Sequence, residues 1–240
     1  MARDFTTNAS KITGSNPVSG TPFSMAAWFF PDNSGQGYNR GIIQMGEAGT
    51  SNHLWSIYLP SNNKFRYRIR TTSSTQNATS NSYTVDQWNH AYASSAAADD
   101  HVAVLNGDWS SRAAWATSKA PTVNDELMLG NYGPGLNLEF RGHIAEAAMW
   151  NAAHLDQYEV EALADGVSPL LIRPSSLVWY VPLVGSVTER ISGTALTDQT
   201  TSDSNLHPPV FYPAKPYVNN FAAAVGGLSR GSLLSLGVGV

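Results

Sequence analysis

A chain of 240 residues that is 42% hydrophobic but only 13% charged can bury one substantial core, and must draw its polar surface from Ser, Thr, Asn and Gln. A formal charge of −4 gives no electrostatic footprint for nucleic acid. The absence of cysteine excludes disulfide staples and thiolate metal sites, and no run approaches the roughly 18 apolar residues needed to span a bilayer.

Met1 to Thr7 has no apolar stretch behind its basic residue, so a chain made in the cytoplasm without a Sec signal is expected. Strand signals then dominate up to about residue 145. Phe23 to Phe30 alternates large and small residues before Pro31 stops it, and Gly41 to Gly46 is a short apolar run between glycines. His53 to Leu59 carries apolar groups at both parities, which predicts a central strand covered on both sides. Phe65, Tyr67 and Ile69 alternate with Arg66, Arg68 and Arg70, the cleanest period-2 pattern in the chain. The arginine row reads as a solvated face or, alternatively, as a surface for an anionic glycan or partner.

His101 to Leu105 runs into Asn106-Gly107, a pair suited to a type I′ turn because both central positions need positive φ. Leu127 to Gly130 and Phe140 to Ile144 follow as short strands. One helix is predicted over 156–164, with Asp156 as N-cap, Glu159 three residues on, Gly166 as the stop, and Leu155, Val160 and Leu163 buried. Leu177 to Leu183 reads as a last strand. Residues 186–206 are Ser/Thr-rich, 207–217 are rich in Pro and aromatics, and 221–240 are built of small apolar residues. The fold class is therefore all-β: a two-sheet antiparallel sandwich over 1–185 with one short helix, and an extension over 186–240 ending in a C-terminal arm.

Four stretches in order resemble laminin-G-like, concanavalin-A-like jelly-roll domains: Phe23 to Trp28, Trp88-Asn89-His90-Ala91, Val104 to Gly107, and Phe140 to Ala153 with the helix after it. The resemblance covers roughly residues 20 to 183, and it implies a jelly roll in which Trp28, Trp88 and Trp150 fill the space between the sheets and His90 is a packed structural residue. The family is widespread in bacterial and phage proteins, and this layout is similar to structural proteins encoded by tailed phages.

Chemistry is sparse along the chain. No strand carries the alternating carboxylates of a glucanase, Glu146 stands alone on its strand, and neither a Gly-x-Ser-x-Gly nor a His-Glu-x-x-His occurs, so no enzyme is expected. Such an activity survives only if carboxylates meet in space. No cofactor is required, and calcium is weighed at Asp99 and Asp100 against simple solvated turn residues. For glycans, Trp109 and Trp115 beside Asn106 and Asp108 are the candidate platform, the alternative being core residues of the next strand. In the arm, Phe211, Tyr212, Tyr217, Phe221, Leu228, Leu233, Leu234 and Leu236 are expected to dock on another copy or a coat or capsid subunit, a disordered tail being the alternative. The expected function is a non-enzymatic virion decoration module, displayed on the virion surface and binding cell-surface glycans weakly. A secreted lectin-like adhesion domain, with or without calcium, is the alternative.

Overall fold

The computed structural model describes residues 2–5, 10–18, 20–33, 39–50, 52–72, 74–116, 121–131, 139–152 and 154–212. In chain order the strands are β1 (Ala2–Asp4), β2 (Lys11–Ser15), β3 (Phe23–Pro31), β4 (Arg40–Gly46), β5 (Leu54–Leu59), β6 (Lys64–Thr71), β7 (Ser74–Ser82), β8 (Asn89–Ala97) and β9 (Asp100–Leu105). They continue with β10 (Ala113–Trp115), β11 (Glu126–Leu129), β12 (Gly142–Trp150), then helix α1 (Gln157–Ala164), β13 (Leu177–Val181), β14 (Thr197–Gln199) and β15 (Ser202–Ser204). Among the described residues these strands form two sheets. One has the order β10-β9-β8-β3-β12-β1-β15 with β13 also paired to β12, and the other is β14-β2-β11-β4-β5-β6-β7. All pairings are antiparallel, as in a jelly-roll sandwich.

The period-2 patterns decide what each strand buries. From β3, Phe23, Met25, Ala27 and Phe29 enter the core between the sheets, where they meet Trp55, Ile57, Phe65, Tyr67 and Ile69 from β5 and β6. Phe23 and Trp55 meet edge to face with ring centroids 5.3 Å apart. β5 is buried at every position, as its double-sided apolar pattern requires. The N-cap of α1 is Asp156, which with Glu159 completes a capping box, and Val160 and Leu163 are its buried residues.

The three tryptophans expected between the sheets are elsewhere. Trp28 and Phe30 have the opposite parity to Phe29, so they point to the outer face of the eight-stranded sheet and are only half-buried, as is Trp88. Trp150 is fully buried, but also on that outer face, in a second core with Ala26, Tyr92, Val104, Leu155, Val160, Leu163 and Tyr180 under α1. Among the described side chains the inter-sheet tryptophans are Trp55 and Trp179. An eight-stranded sheet with apolar residues at both parities needs cover on both sides, and α1 supplies it for one half of the outer face.

Beyond residue 185 the chain returns to both sheets. β14 pairs with β2 at the edge of one, and β15 pairs with β1 at the edge of the other. The chain then runs under the helix stop, where Phe211 N donates to Gly166 O at 2.7 Å and Ser168 N donates to Phe211 O at 3.1 Å.

Trp150 ties the second core together, because its Nε1 also donates to Ile172 O at 2.7 Å. Trp150→Ala is expected to cost about 3–5 kcal/mol of stability, read as a lowered urea midpoint at unchanged slope. A loss of under about 1 kcal/mol would mean that the second core contributes little.

Candidate functional site

The site is created by a change of partner along β12. On one edge β12 pairs with β3; on the other it pairs with β1 at His143 and Ile144, and with β13 from Ala147 onward. The handover falls at Glu146, where the register with β3 also shifts and the backbone takes φ 54°. This bulge leaves a carboxylate 2% exposed in an Ala-rich strand. Such a charge needs donors, and two segments bring them.

Tyr180 from β13 donates its OH to Glu146 Oε2 at 2.6 Å. Tyr212 donates to Oε1, and His207 Nε2 lies 3.2 Å from the same oxygen. Burial first, and then the Glu146 charge, push both phenols well above the usual tyrosine range, so they remain protonated donors. Arg190 follows β13 and is exposed. Tyr180, Arg190, His207 and Tyr212, together with Leu170, Pro182 and Val184, line an open cleft of about 700 Å³, a size ordinary for small-ligand sites. Gly166 lets the last segment come this close: it takes φ +93°, and a Cβ there would lie 2.0 Å from Pro209 O.

None of the described residues lining the cleft is a carboxylate; Glu146 lies behind Tyr180 and Tyr212, and both its oxygens already accept phenol protons. Glu189, the other buried carboxylate nearby in sequence, is committed to the turn after β13. It accepts from the backbone N–H of Tyr180, Ile191 and Ser192 and from the Ser192 hydroxyl. Burial raises the Glu189 carboxyl, but these hydrogen bonds outweigh it and hold it below the usual range.

On the same sheet face lies an aromatic ledge. His143, three residues before Glu146 on β12 and so about 10 Å away along the strand, packs against Phe30 at 5.5 Å between ring centroids. Phe30 meets Trp88 at 5.7 Å, and Trp28 meets His90 at 5.3 Å. His90 is 2% exposed and its Nδ1 has no hydrogen-bond partner. Burial pushes its imidazole from the ordinary 6.5 down to about 3, so it is a neutral packed residue, as its motif implies.

The platform expected from sequence is built differently. Asn106 and Gly107 do take positive φ, at 53° and 68°. The Asn106 side chain, however, accepts from His90 N at 2.7 Å and donates to Asn89, closing the end of β8. Asp108 accepts from Ser110, Ser111 and Asn81, capping the short 3-10 turn Trp109–Ser111. Trp109 is half-buried against the second core, with Arg112 stacked 5.2 Å from its ring centroid. Trp115 lies on β10, its side chain outside the described residues. Asp99 is exposed in a turn, and Asp100 Oδ1 lies 2.9 Å from His154 Nε2. Among the described residues no three His, Asp or Glu side chains gather as a metal set. Of the arm, Tyr212 reaches Glu146 while Phe211 is 69% exposed. Tyr217, Phe221, Leu228, Leu233, Leu234 and Leu236 lie outside the described residues.

A family profile described as the concanavalin A-like lectin/glucanases superfamily matches residues 5–160, well over half of the chain. The chain belongs to this superfamily. No curated protein matches it. Among solved structures, it is similar to a putative carbohydrate-binding protein from Bacteroides ovatus at 14% identity and TM-score 0.60, covering 88% of this chain and 62% of that one. It is also similar to the Ruminococcus gnavus IT-sialidase CBM40 bound to α2,3-sialyllactose, at 12% identity and TM-score 0.52, covering 68% of this chain and 97% of that one. The enzymatically active domain of bacteriophage CBA120 tailspike protein 2 aligns at 13% identity and TM-score 0.57, covering 74% of this chain and 29% of that one. At these identities the likeness is one of fold. Among the described residues no helix is long and apolar enough to cross a membrane.

His90 makes stability depend on pH. The unfolded chain takes up its proton near pH 6.5 and the folded one only near about 3, so the unfolded state binds more protons in between. Stability should fall as pH drops through that window, by up to about 1.4 kcal/mol per unit. His90→Gln should flatten the acid limb of a melting-temperature profile; an unchanged limb would remove His90 as its source.

Proposed function

We propose that this protein is a non-catalytic glycan-binding module whose ligand enters the cleft lined by Arg190, His207 and Tyr212 and extends over the ledge of Trp28, Phe30 and Trp88. The observation that carries the reading is the composition of the cleft. A Tyr212 ring 46% exposed stands beside Arg190, His207 and a phenol-anchored carboxylate. Pyranose rings stack their C–H faces on such aromatics while their hydroxyls need charged and polar partners at fixed positions. The carbohydrate-binding neighbours of the fold support the same class of ligand. The non-catalytic part rests on the lining: glycoside hydrolysis ordinarily needs two carboxylates roughly 5–10 Å apart, and none of the described residues lining the cleft is one, Glu146 being buried behind its phenols.

A glycan array followed by calorimetry tests this. Binding of a mono- or oligosaccharide is expected to fall about tenfold or more in Arg190→Ala, at unchanged melting temperature within about 3 °C, and likewise in Tyr212→Ala, whose melting temperature also falls because Glu146 loses a donor, with no reducing sugar released. Failure of any glycan to bind, or equal binding by both variants, would overturn the reading.

A second reading concerns the setting, a coat or decoration role at a virion surface with the arm docked on another subunit. What favours it is Phe211, a large ring left 69% exposed just where the arm begins. Mass spectrometry of purified particles from the source should then find this chain at a fixed ratio to the major coat protein; its absence from particles would remove this reading and leave the glycan one standing.

A further inference from the structure

The outer face of the seven-stranded sheet has a charge pattern unlike the rest of the chain. β4 through β7 contain Arg40, Lys64, Arg66, Arg68 and Arg70 and not one Asp or Glu, in a protein with 14 basic and 18 acidic residues. Arg40 points into the sandwich, in register with Leu59, and bonds the Tyr83 hydroxyl at 2.6 Å. The other four alternate with Phe65, Tyr67 and Ile69 and so all face outward from β6, about 6.7 Å apart and spanning about 20 Å.

These cations are laid on the sheet. All four are half-buried. The Arg68 guanidinium stacks 4.4 Å from the Tyr58 ring centroid, donates to the Tyr58 hydroxyl, and donates through Nε to Asn77 Oδ1 at 2.7 Å. Burial, reinforced by repulsion from Arg66 and Arg70 and opposed by Tyr58, holds Arg68 below the ordinary arginine value. Arg66 has a buried Nε without any hydrogen-bond partner. Between Gln44 and Arg68, in register with both, Ser56 is fully buried with its Oγ also unpartnered. On this face Arg66 Nε and Ser56 Oγ are thus donors without acceptors beneath a row of like charges.

We propose that this face is a second binding site, for a linear acidic polysaccharide whose carboxylates or sulfates pair with Lys64, Arg66, Arg68 and Arg70. A straight row of evenly spaced cations, three guanidinium groups and one ammonium, fits a polymer with repeating negative charge. Thr75, Asn77 and Thr79 are exposed on the neighbouring β7, in register with Arg70, Arg68 and Arg66, and offer partners for sugar hydroxyls. Single-stranded nucleic acid fits less well, since its bases require open rings to stack on. The Tyr58 ring on this face is fully buried beneath Arg68. The site lies on the other sheet from the Glu146 cleft and does not depend on the reading given to that cleft.

Calorimetric titration of the full chain with heparin and with alginate, at about 50 mM and about 300 mM NaCl, tests the proposal. Both polyanions should bind at the lower salt and weaken steeply at the higher, while neutral dextran should not bind. The double variant Arg66→Ser/Arg70→Ser should lose about tenfold or more in affinity. The control Arg112→Ser/Arg141→Ser, which removes the same charge elsewhere, should lose little, and Tyr212→Ala should be unaffected. Absent binding at low salt, equal loss in the two double variants, or tighter binding of single-stranded DNA of matched charge would each overturn the site.

Discussion

A carboxylate removed from water inside a sheet must be met by donors, or the fold does not tolerate it. Glu146 is in that position, and the way its demand is met organises the second half of the molecule. Its backbone bulges because β12 changes neighbour there, from β1 to β13. Its side chain then draws Tyr180 from β13 and, from the chain's last described turn, His207 and Tyr212. The path of residues 205–212 across the sandwich, the cleft beneath it and the glycine at the end of α1 are arranged around that one charge.

The two sheets divide their outer faces differently. The eight-stranded sheet carries apolar residues at both parities, so its outer face is occupied by a second core under α1, then by the cleft, then by the ledge of half-buried rings. The seven-stranded sheet turns one face to the inter-sheet core, and on its other face the charged side chains from β4 to β7 are all basic and all on β6. A net charge of −4 therefore conceals a segregation of sign, which whole-chain arithmetic hides and strand parity exposes.

Period-2 alternation made β3, β5 and β6 legible, and the capping box made α1 legible, because each signal lies within a few consecutive residues. The same alternation held the correct parity for Trp28 and Phe30. Assigning Trp28, Trp88 and Trp150 to the inter-sheet core failed because the outer face also buries large side chains, and period alone does not say which face is inward. The cleft was hidden for another reason. Glu146, Tyr180, Arg190, His207 and Tyr212 come from separate segments, and the local sign of it, a single charge within Ala145 to Ala148, reads as an ordinary strand residue. Asn106 and Asp108 looked like ligand groups, yet they serve the turn they sit in, which is the commonest use of Asn and Asp at such positions.

The pairing of β1 has a temporal meaning. Ala2, Arg3 and Asp4 lie opposite Ser204, Asp203 and Ser202, and on their other side opposite β12. β1 thus waits for Ser202 to Ser204 before its edge partner exists, while β4 to β7 can zip together through short hairpins as they emerge. Contacts of such long sequence separation are slow and late to form. The β4–β7 half of the basic sheet should accordingly pair early, whereas each sheet gains its last edge strand only once β14 and β15 have emerged.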